Sequence, residues 1–472
     1  MVFTNKTMSV VRRPAAMSLY FGFNQQPSET ELARQTELKV ESLKNYFKKH
    51  YQKISKDAIE RKTRYDKCVS QLNARNFSKQ ENENFFNQFV EEESKITRIM
   101  RTKFKAERYE RIRLIGRGGY GEVWLAADKT TSEIFALKVL KKANIIFNDQ
   151  VMNVRSEREV LSISDNPWIV DLICSFQDEQ YLYLVLEYVP GGDLMGTLIK
   201  YNTFPIPAVQ FYVGELLLAM HSVHELGFVH RDLKPDNVLI SSSGHIKLAD
   251  FGLATNYQRL DDNRLRNLLE QLQDMIDEQT DLENSSNLSH QCRRKRSATQ
   301  AASIDYAAPE MIYNQSPSIM CDFWSLGIIM YEMLYGFTPF ASDTDKDTAI
   351  RIVRWPQVLR FYPNQNVSPE AIDLMKHLLC YEQDRYTYDQ IIQHPFLNGF
   401  NFDEPFANKP PFIPKLSSPT DTSNFDEIEP MPNETGGNIP RAKDLQDFAF
   451  LGFTYKQRPK NKVLTSLEEF NS

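Results

Sequence analysis

His230-Arg231-Asp232-Leu233-Lys234-Pro235-Asp236-Asn237 is followed, thirteen residues beyond Asn237, by Asp250-Phe251-Gly252. The intervening VLISSSGHIKLA has two β-type runs around a serine-glycine turn and reads as a hairpin. The residue types suit one kind of chemistry. Moving a phosphoryl group onto a hydroxyl needs a carboxylate to accept the proton, and Asp232 supplies one. It needs a cation beside the moving group, which is Lys234. It also needs oxygen ligands for Mg²⁺, and Asn237 and Asp250 are those.

Upstream lies Gly116-Arg117-Gly118-Gly119-Tyr120-Gly121-Glu122-Val123. A glycine pattern of this kind also occurs in dinucleotide-binding turns, which lead from a strand into a helix. Here strand-like sequence stands on both sides, RIRLI before and EVWLA after. The loop therefore reads as a β-hairpin lid whose glycines let backbone amides approach phosphates, with Tyr120 at its tip. Val123 and Ala136 would line the same pocket. Lys138, closing the β-type run Phe135-Ala136-Leu137-Lys138, is placed to meet α- and β-phosphates. A glutamate on the next helix, near 150–163, would orient it; of Glu157 and Glu159 we select Glu157.

Downstream, Ala308-Pro309-Glu310 and Asp322-Phe323-Trp324 follow in order, with Arg385 as the expected partner of Glu310. With these motifs the chain resembles eukaryotic protein kinases over about residues 109–398. The resemblance implies an α+β, two-lobe fold: a small antiparallel sheet with one helix, over a mainly helical lobe, with ATP and Mg²⁺ in the cleft. A catalytically silent scaffold would need a loss among Lys138, Asp232, Asn237 and Asp250, and none is lost.

Several features resemble one branch, the NDR/LATS family of AGC serine/threonine kinases. The stretch Leu186-Glu187-Tyr188-Val189-Pro190-Gly191-Gly192-Asp193 is similar to the AGC hinge, which implies adenine contacts at Glu187 and Val189. Asp193, Asp236 and Glu332 match acids that hold a basic substrate, so protein substrates with upstream Arg or Lys are expected. Ser303 stands where a threonine hydroxyl touches the catalytic aspartate. The family's Gly-Thr-Pro is Ala302-Ser303-Ile304 here, which changes the substrate side of the site. From Asp250 to Ala308 is 58 positions, and the insert, about 255–298, ends in the basic run Arg293 to Arg296. Such an insert restrains activity in the family. Thr299 is the expected activation-segment phosphosite, with Ser297 as its rival. Phe450-Leu451-Gly452-Phe453-Thr454-Tyr455 resembles the hydrophobic motif, which implies that its aromatic side chains dock on the small lobe beside the 150–163 helix, with Thr454 phosphorylated by an upstream kinase. The segments LKVESLKNYFKK and AIERKTR resemble the region that binds Mob-family co-activators, with Lys39, Arg61 and Arg64 as contacts.

Composition frames these motifs. The 472 residues exceed one compact core, so extensions are expected around a catalytic unit. We divide the chain into a flexible 1–28, a helical regulatory 29–108, a catalytic 109–398, and an AGC-type tail 399–472 with its motif at 450–455. Net charge is −6, yet residues 1–108 carry +9, leaving −15 on the remainder. A basic arm of this kind suits an acidic protein partner. The five cysteines are scattered without metal spacing, which fits a reducing compartment. We expect no signal segment, no membrane span and no nucleic-acid partner, and a location in the cytoplasm, with the nucleus or cell-division structures as further sites.

Overall fold

The computed structural model describes residues 29–74, 78–118, 121–148, 150–256, 304–313, 318–363, 367–428 and 450–459. These fall into two compact units. Among the described residues, one comprises 29–74 with 450–451, and the other the remainder. In the first unit, Glu29–Ala74 forms one long helix, α1.

The second unit opens with α2, Lys79–Arg101. Ser78 and Glu81 start it with reciprocal side-chain-to-backbone bonds, which satisfy amides that a helix N-terminus leaves unpaired. Phe89 and Ile96, seven residues apart, form its buried stripe. Short runs rich in Leu, Val, Ile and aromatic residues then build a sheet of β1 (Tyr109–Gly118), β2 (Gly121–Asp128), β3 (Ile134–Lys141), β4 (Leu172–Gln177) and β5 (Tyr181–Glu187). The expected single helix appears as α4 (Val151–Ile163), preceded by the short α3 (Lys142–Phe147).

Two further helices, α5 (Leu194–Tyr201) and α6 (Ile206–Glu225), lead into the second lobe. Helix α6 is long and apolar enough to cross a membrane, but most of it is buried inside its unit, including Val213, Leu216, Leu217 and Met220. Each such side chain stabilises the fold by about 1.5–3 kcal/mol relative to an exposed one. The expected stop at Gly227 is seen, with φ +85°. The strands β6 (Phe228–Val229) and β9 (Thr255–Asn256) pair, as do β7 (Val238–Ile240) and β8 (Ile246–Leu248), which is the hairpin expected between the two acidic motifs. The helix Met320–Tyr335 is buried along its length, with Trp324 stacked on Phe340.

One strand was not anticipated. β10, Tyr455–Lys456, adds antiparallel to β4, so the first sheet runs β1-β2-β3-β5-β4-β10. A two-residue strand has no periodicity of its own. Its pairing depends on an edge contributed by residues nearly 300 positions earlier.

Candidate active site

The glycine hairpin is placed by strand register. Gly118 faces Gly121 and Gly116 faces Val123, with a bulge between Leu114 and Gly116. A Cβ on Gly121 would stand 2.1 Å from the Val139 carbonyl oxygen, so β2 can lie against β3 there only with glycine. Arg117 faces its strand partner Glu122 at 3.7 Å. Gly119 and Tyr120 lie outside the described residues.

Lys138 in β3 lies across from Leu184 of β5, with Ala136 buried two residues before it. Its ammonium meets the Glu157 carboxylate at 2.6 Å and that of Asp250 at 3.5 Å. Glu157 reaches it from the buried face of α4, shared with Val154, Val160 and Leu161. Burial pulls the Lys138 ammonium down, but Asp250 and Glu157 outweigh it and hold the charge above its ordinary range. Lys138 in turn holds the Asp250 carboxyl below its ordinary range.

The loop around Asp232 is assembled from below by Asp322. This carboxylate is fully buried in the helix Met320–Tyr335. It accepts from the backbone amides of His230 and Arg231 at 2.9 and 2.8 Å, and bonds His224 Nε2 at 2.8 Å. Arg231 takes φ +68° and Asp250 φ +57°, a conformation uncommon for side chains other than glycine. The Asp322 bond to the Arg231 amide helps to offset what the Arg231 backbone costs.

Lys234 Nζ donates to Asp232 Oδ2 at 2.9 Å. Asn237 Nδ2 donates to Asp232 O at 2.8 Å and to Oδ2 at 3.1 Å. Burial raises the Asp232 carboxyl, with Lys234 opposing, and a raised carboxyl suits a group that takes a proton. With its amide nitrogen committed to Asp232, Asn237 turns its oxygen to the other side. An amide oxygen and the Asp250 carboxylate, joined at the mouth of one hairpin by Ala249 N–H to Asn237 O at 2.9 Å, form a hard-oxygen donor set that fits Mg²⁺.

The Glu187 carboxylate is taken by Lys247 at 2.5 Å and the Asp171 amide at 2.8 Å, and its own amide donates to the Asp171 carbonyl at 3.0 Å. Val189 is buried. The tail crosses this hinge. Phe425 stacks on Tyr188 at 5.8 Å, Asn424 Nδ2 donates to Pro190 O at 3.1 Å, and Arg113 of β1 donates to Thr422 Oγ1 at 2.7 Å.

The three acids expected on the substrate side differ in setting. Asp236 is exposed, and Asp193 caps α5 by accepting from the Gly196 amide at 2.7 Å. Glu332 is buried and accepts from the Tyr306 hydroxyl at 2.6 Å. Ser303 and Thr299 lie outside the described residues. Arg231 donates to Thr255 Oγ1. Glu310 and Arg385 form the expected ion pair, at 2.6 Å.

Away from the cleft, Phe453 is buried and Thr454 exposed. The carbonyl of Gly452 accepts from Arg158 of α4 at 2.9 Å, and that of Phe453 from Ser175 of β4 at 2.6 Å. In the first unit, Lys39 lies within α1, Arg61 is exposed and Arg64 half-buried.

Asp373, His377 and His394 bring ligand-type atoms together. However, His394 Nδ1 accepts from the Phe396 amide at 3.1 Å, so Nε2 carries the proton and donates to Asp373. A metal-binding imidazole needs the opposite arrangement.

Residues 109–397 match the protein kinase domain family. Among curated proteins, the chain is similar to serine/threonine-protein kinase CBK1 of Candida glabrata, 37% identical over 93% of this chain and 62% of that one. It is similar to CBK1 of Pneumocystis carinii, 37% identical over 90% of this chain and 87% of that one. A third relative is the probable serine/threonine-protein kinase ndrB of Dictyostelium discoideum, 38% identical over 88% and 80%. The chain spans less than two thirds of the length of the Candida glabrata and Saccharomyces cerevisiae relatives.

Proposed function

The chain belongs to the protein kinase family, in its NDR/LATS branch of AGC serine/threonine kinases, and from that premise we propose that it transfers the γ-phosphate of ATP to serine or threonine hydroxyls of proteins. The observation that supports this is the Lys138–Glu157 ion pair at 2.6 Å with Asp250 at 3.5 Å, which brings a cation suited to phosphates beside a carboxylate suited to a metal ion.

The roles follow from position. Lys138 orients the α- and β-phosphates. Asp232 accepts the proton of the attacking hydroxyl, and Lys234 balances charge at the moving phosphoryl group. Asn237 and Asp250 would hold Mg²⁺, which would neutralise the phosphates. The remaining contribution is alignment, supplied by Asp322 through the His230 and Arg231 amides.

Regulation and specificity extend the reading. Asp193, Asp236 and Glu332 favour substrates with basic residues upstream of the acceptor. A phosphate on Thr299 would pair with Arg231 and order the activation segment. One on Thr454, placed by an upstream kinase, would secure the tail against α4, whose Arg158 already holds Gly452. Lys39, Arg61 and Arg64 on α1 would meet an acidic Mob-type co-activator. The setting is cytoplasmic, in control of division, septation, polarity or growth. No lost catalytic residue favours the silent-scaffold reading.

The test is γ-phosphate transfer from ATP to a peptide library, with Asp232→Asn as control. We expect turnover that Asp232→Asn lowers by about 10³-fold or more and a preference for upstream Arg or Lys. Turnover equal in both proteins would overturn the assignment.

A further inference from the structure

Helix α6 is apolar almost throughout, yet it carries Glu215 with its side chain fully buried. A carboxyl group taken out of water is costly unless hydrogen bonds replace the water. Glu215 finds two partners, both at one end of the β7–β8 hairpin. Its Oε2 accepts from the Ile246 amide at 2.9 Å, where β8 begins. Its Oε1 lies 2.5 Å from His245 Nδ1, in the turn. The His245 ring is fixed in turn by Phe211 of α6, at 5.7 Å, and by Phe406 of the tail, at 5.0 Å.

The opposite end of this hairpin is the metal-binding end. Asn237 immediately precedes β7, Asp250 follows β8 by two residues, and the Ala249 amide closes the pair. The flanks are held as well. Ile240 exchanges backbone bonds with Gly191 and Gly192, both 2.9 Å, and Leu248 with Trp168 and Val170 at 2.7 and 3.0 Å. The strands are three residues each, about 10 Å long. A ribbon so short moves as one piece, so its turn and its mouth cannot shift independently.

We propose that Glu215 and His245 are a positioning pair that anchors the turn of this hairpin and so sets the presentation of Asn237 and Asp250 to Mg²⁺. The proposal rests on the phosphotransfer reading above for its purpose. The titratable groups that face Glu215 are His245 and, from its own helix, Tyr212. The link survives with one proton shared between Glu215 and His245, or with none beyond the Nδ1 hydrogen. It breaks when both carry one, because two donors then face each other at 2.5 Å.

The experiment uses the full chain and measures binding of ADP by calorimetry across a Mg²⁺ titration, beside the transfer assay. Glu215→Leu removes both bonds at similar volume. We expect it to raise the Mg²⁺ needed for half-maximal ADP binding by about tenfold, the scale on which outer-shell partners act on a metal site. Glu215→Gln keeps an oxygen for the Ile246 amide and an N–H for His245, so it should stay within about twofold of wild type. Should Glu215→Leu not fold, His245→Phe carries the test in a site already lined by Phe211 and Phe406, with the same increase expected. A folded variant with the wild-type Mg²⁺ requirement overturns the proposal. So does failure of both variants to fold, which would make the pair a folding element. If the wild type binds Mg²⁺ and ADP but transfers no phosphate, the functional reading falls, while the binding titration still decides the role of the pair.

Discussion

Two buried carboxylates in the same lobe show how partners decide the state of a group removed from water. Asp322 is pushed up by burial, but the His224 hydrogen bond and the backbone amides prevail and hold it below its ordinary range. Glu215 has one backbone amide and a histidine whose own charge is disfavoured, and burial pushes it up to about 8. That difference has a measurable consequence. Between pH 6.5, the ordinary histidine value, and about 8, the unfolded chain has ionised Glu215 and neutral His245, while the native chain keeps a proton on Glu215. The native state then binds more protons, so stability falls as pH rises through this window, by about 2 kcal/mol. Below pH 6.5 the unfolded His245 gains a proton that the buried ring resists, and the two effects oppose. Denaturant midpoints of the wild type should therefore decline relative to Glu215→Gln between pH 6.5 and 8. Parallel profiles would mean that Glu215 is ionised in the native protein.

At the scale of elements, β10 joins three parts of the second unit. It extends the sheet at β4, its preceding carbonyls accept from Arg158 and Ser175, and its Lys456 lies at the C-terminus of α2. There Nζ donates to the carbonyls of Met100, at 2.8 Å, and Thr102, close to the Phe104 ring. Arg458 adds an ion pair to Glu93 at 2.9 Å. A lysine over the last carbonyls supplies the charge that a helix C-terminus favours. Lys456→Ala should therefore loosen α2 and β10 together, by about 1–2 kcal/mol. Hydrogen exchange should quicken at the Thr102 amide and along β4, with little change in β1 or β2. Faster exchange in α2 alone would show that the strand does not depend on the lysine. The resemblance of 450–455 to the hydrophobic motif implied docking beside the 150–163 helix, where Arg158 holds Gly452, but the individual bonds were not legible in the sequence. The Ser175 and Arg158 bonds span more than 270 positions, and lysines and arginines are common on surfaces. The glycine hairpin, Lys138, Asp232 and Asp250 were legible because each sits in a local pattern few other sequences need. Glu215 could not be read, since one acid in an apolar helix has no meaning until the turn it touches is placed.

Across the whole molecule, the division seen is between 74 and 75, so α2 shares a unit with the catalytic sheet while α1 stands in the other. Charge follows a different partition. Residues 1–108 carry +9 and the remainder −15. An acidic co-activator would be drawn to the basic arm and repelled by the body, which orients its approach before any contact forms. Steering of this kind acts on association, and salt weakens it as the screening length falls from about 10 Å at 0.1 M towards 3 Å at 1 M. The association rate of the full chain with a purified Mob-type protein should thus fall roughly tenfold between 0.05 and 0.5 M salt, with dissociation changed far less. Replacing Arg61 and Arg64 together by glutamine should flatten that dependence. An association rate indifferent to salt would remove charge as the reason the arm is basic, and would leave the apolar side chains of α1 (Phe47, Tyr51 and Ile54 are exposed on it) as the surface that recognises the partner.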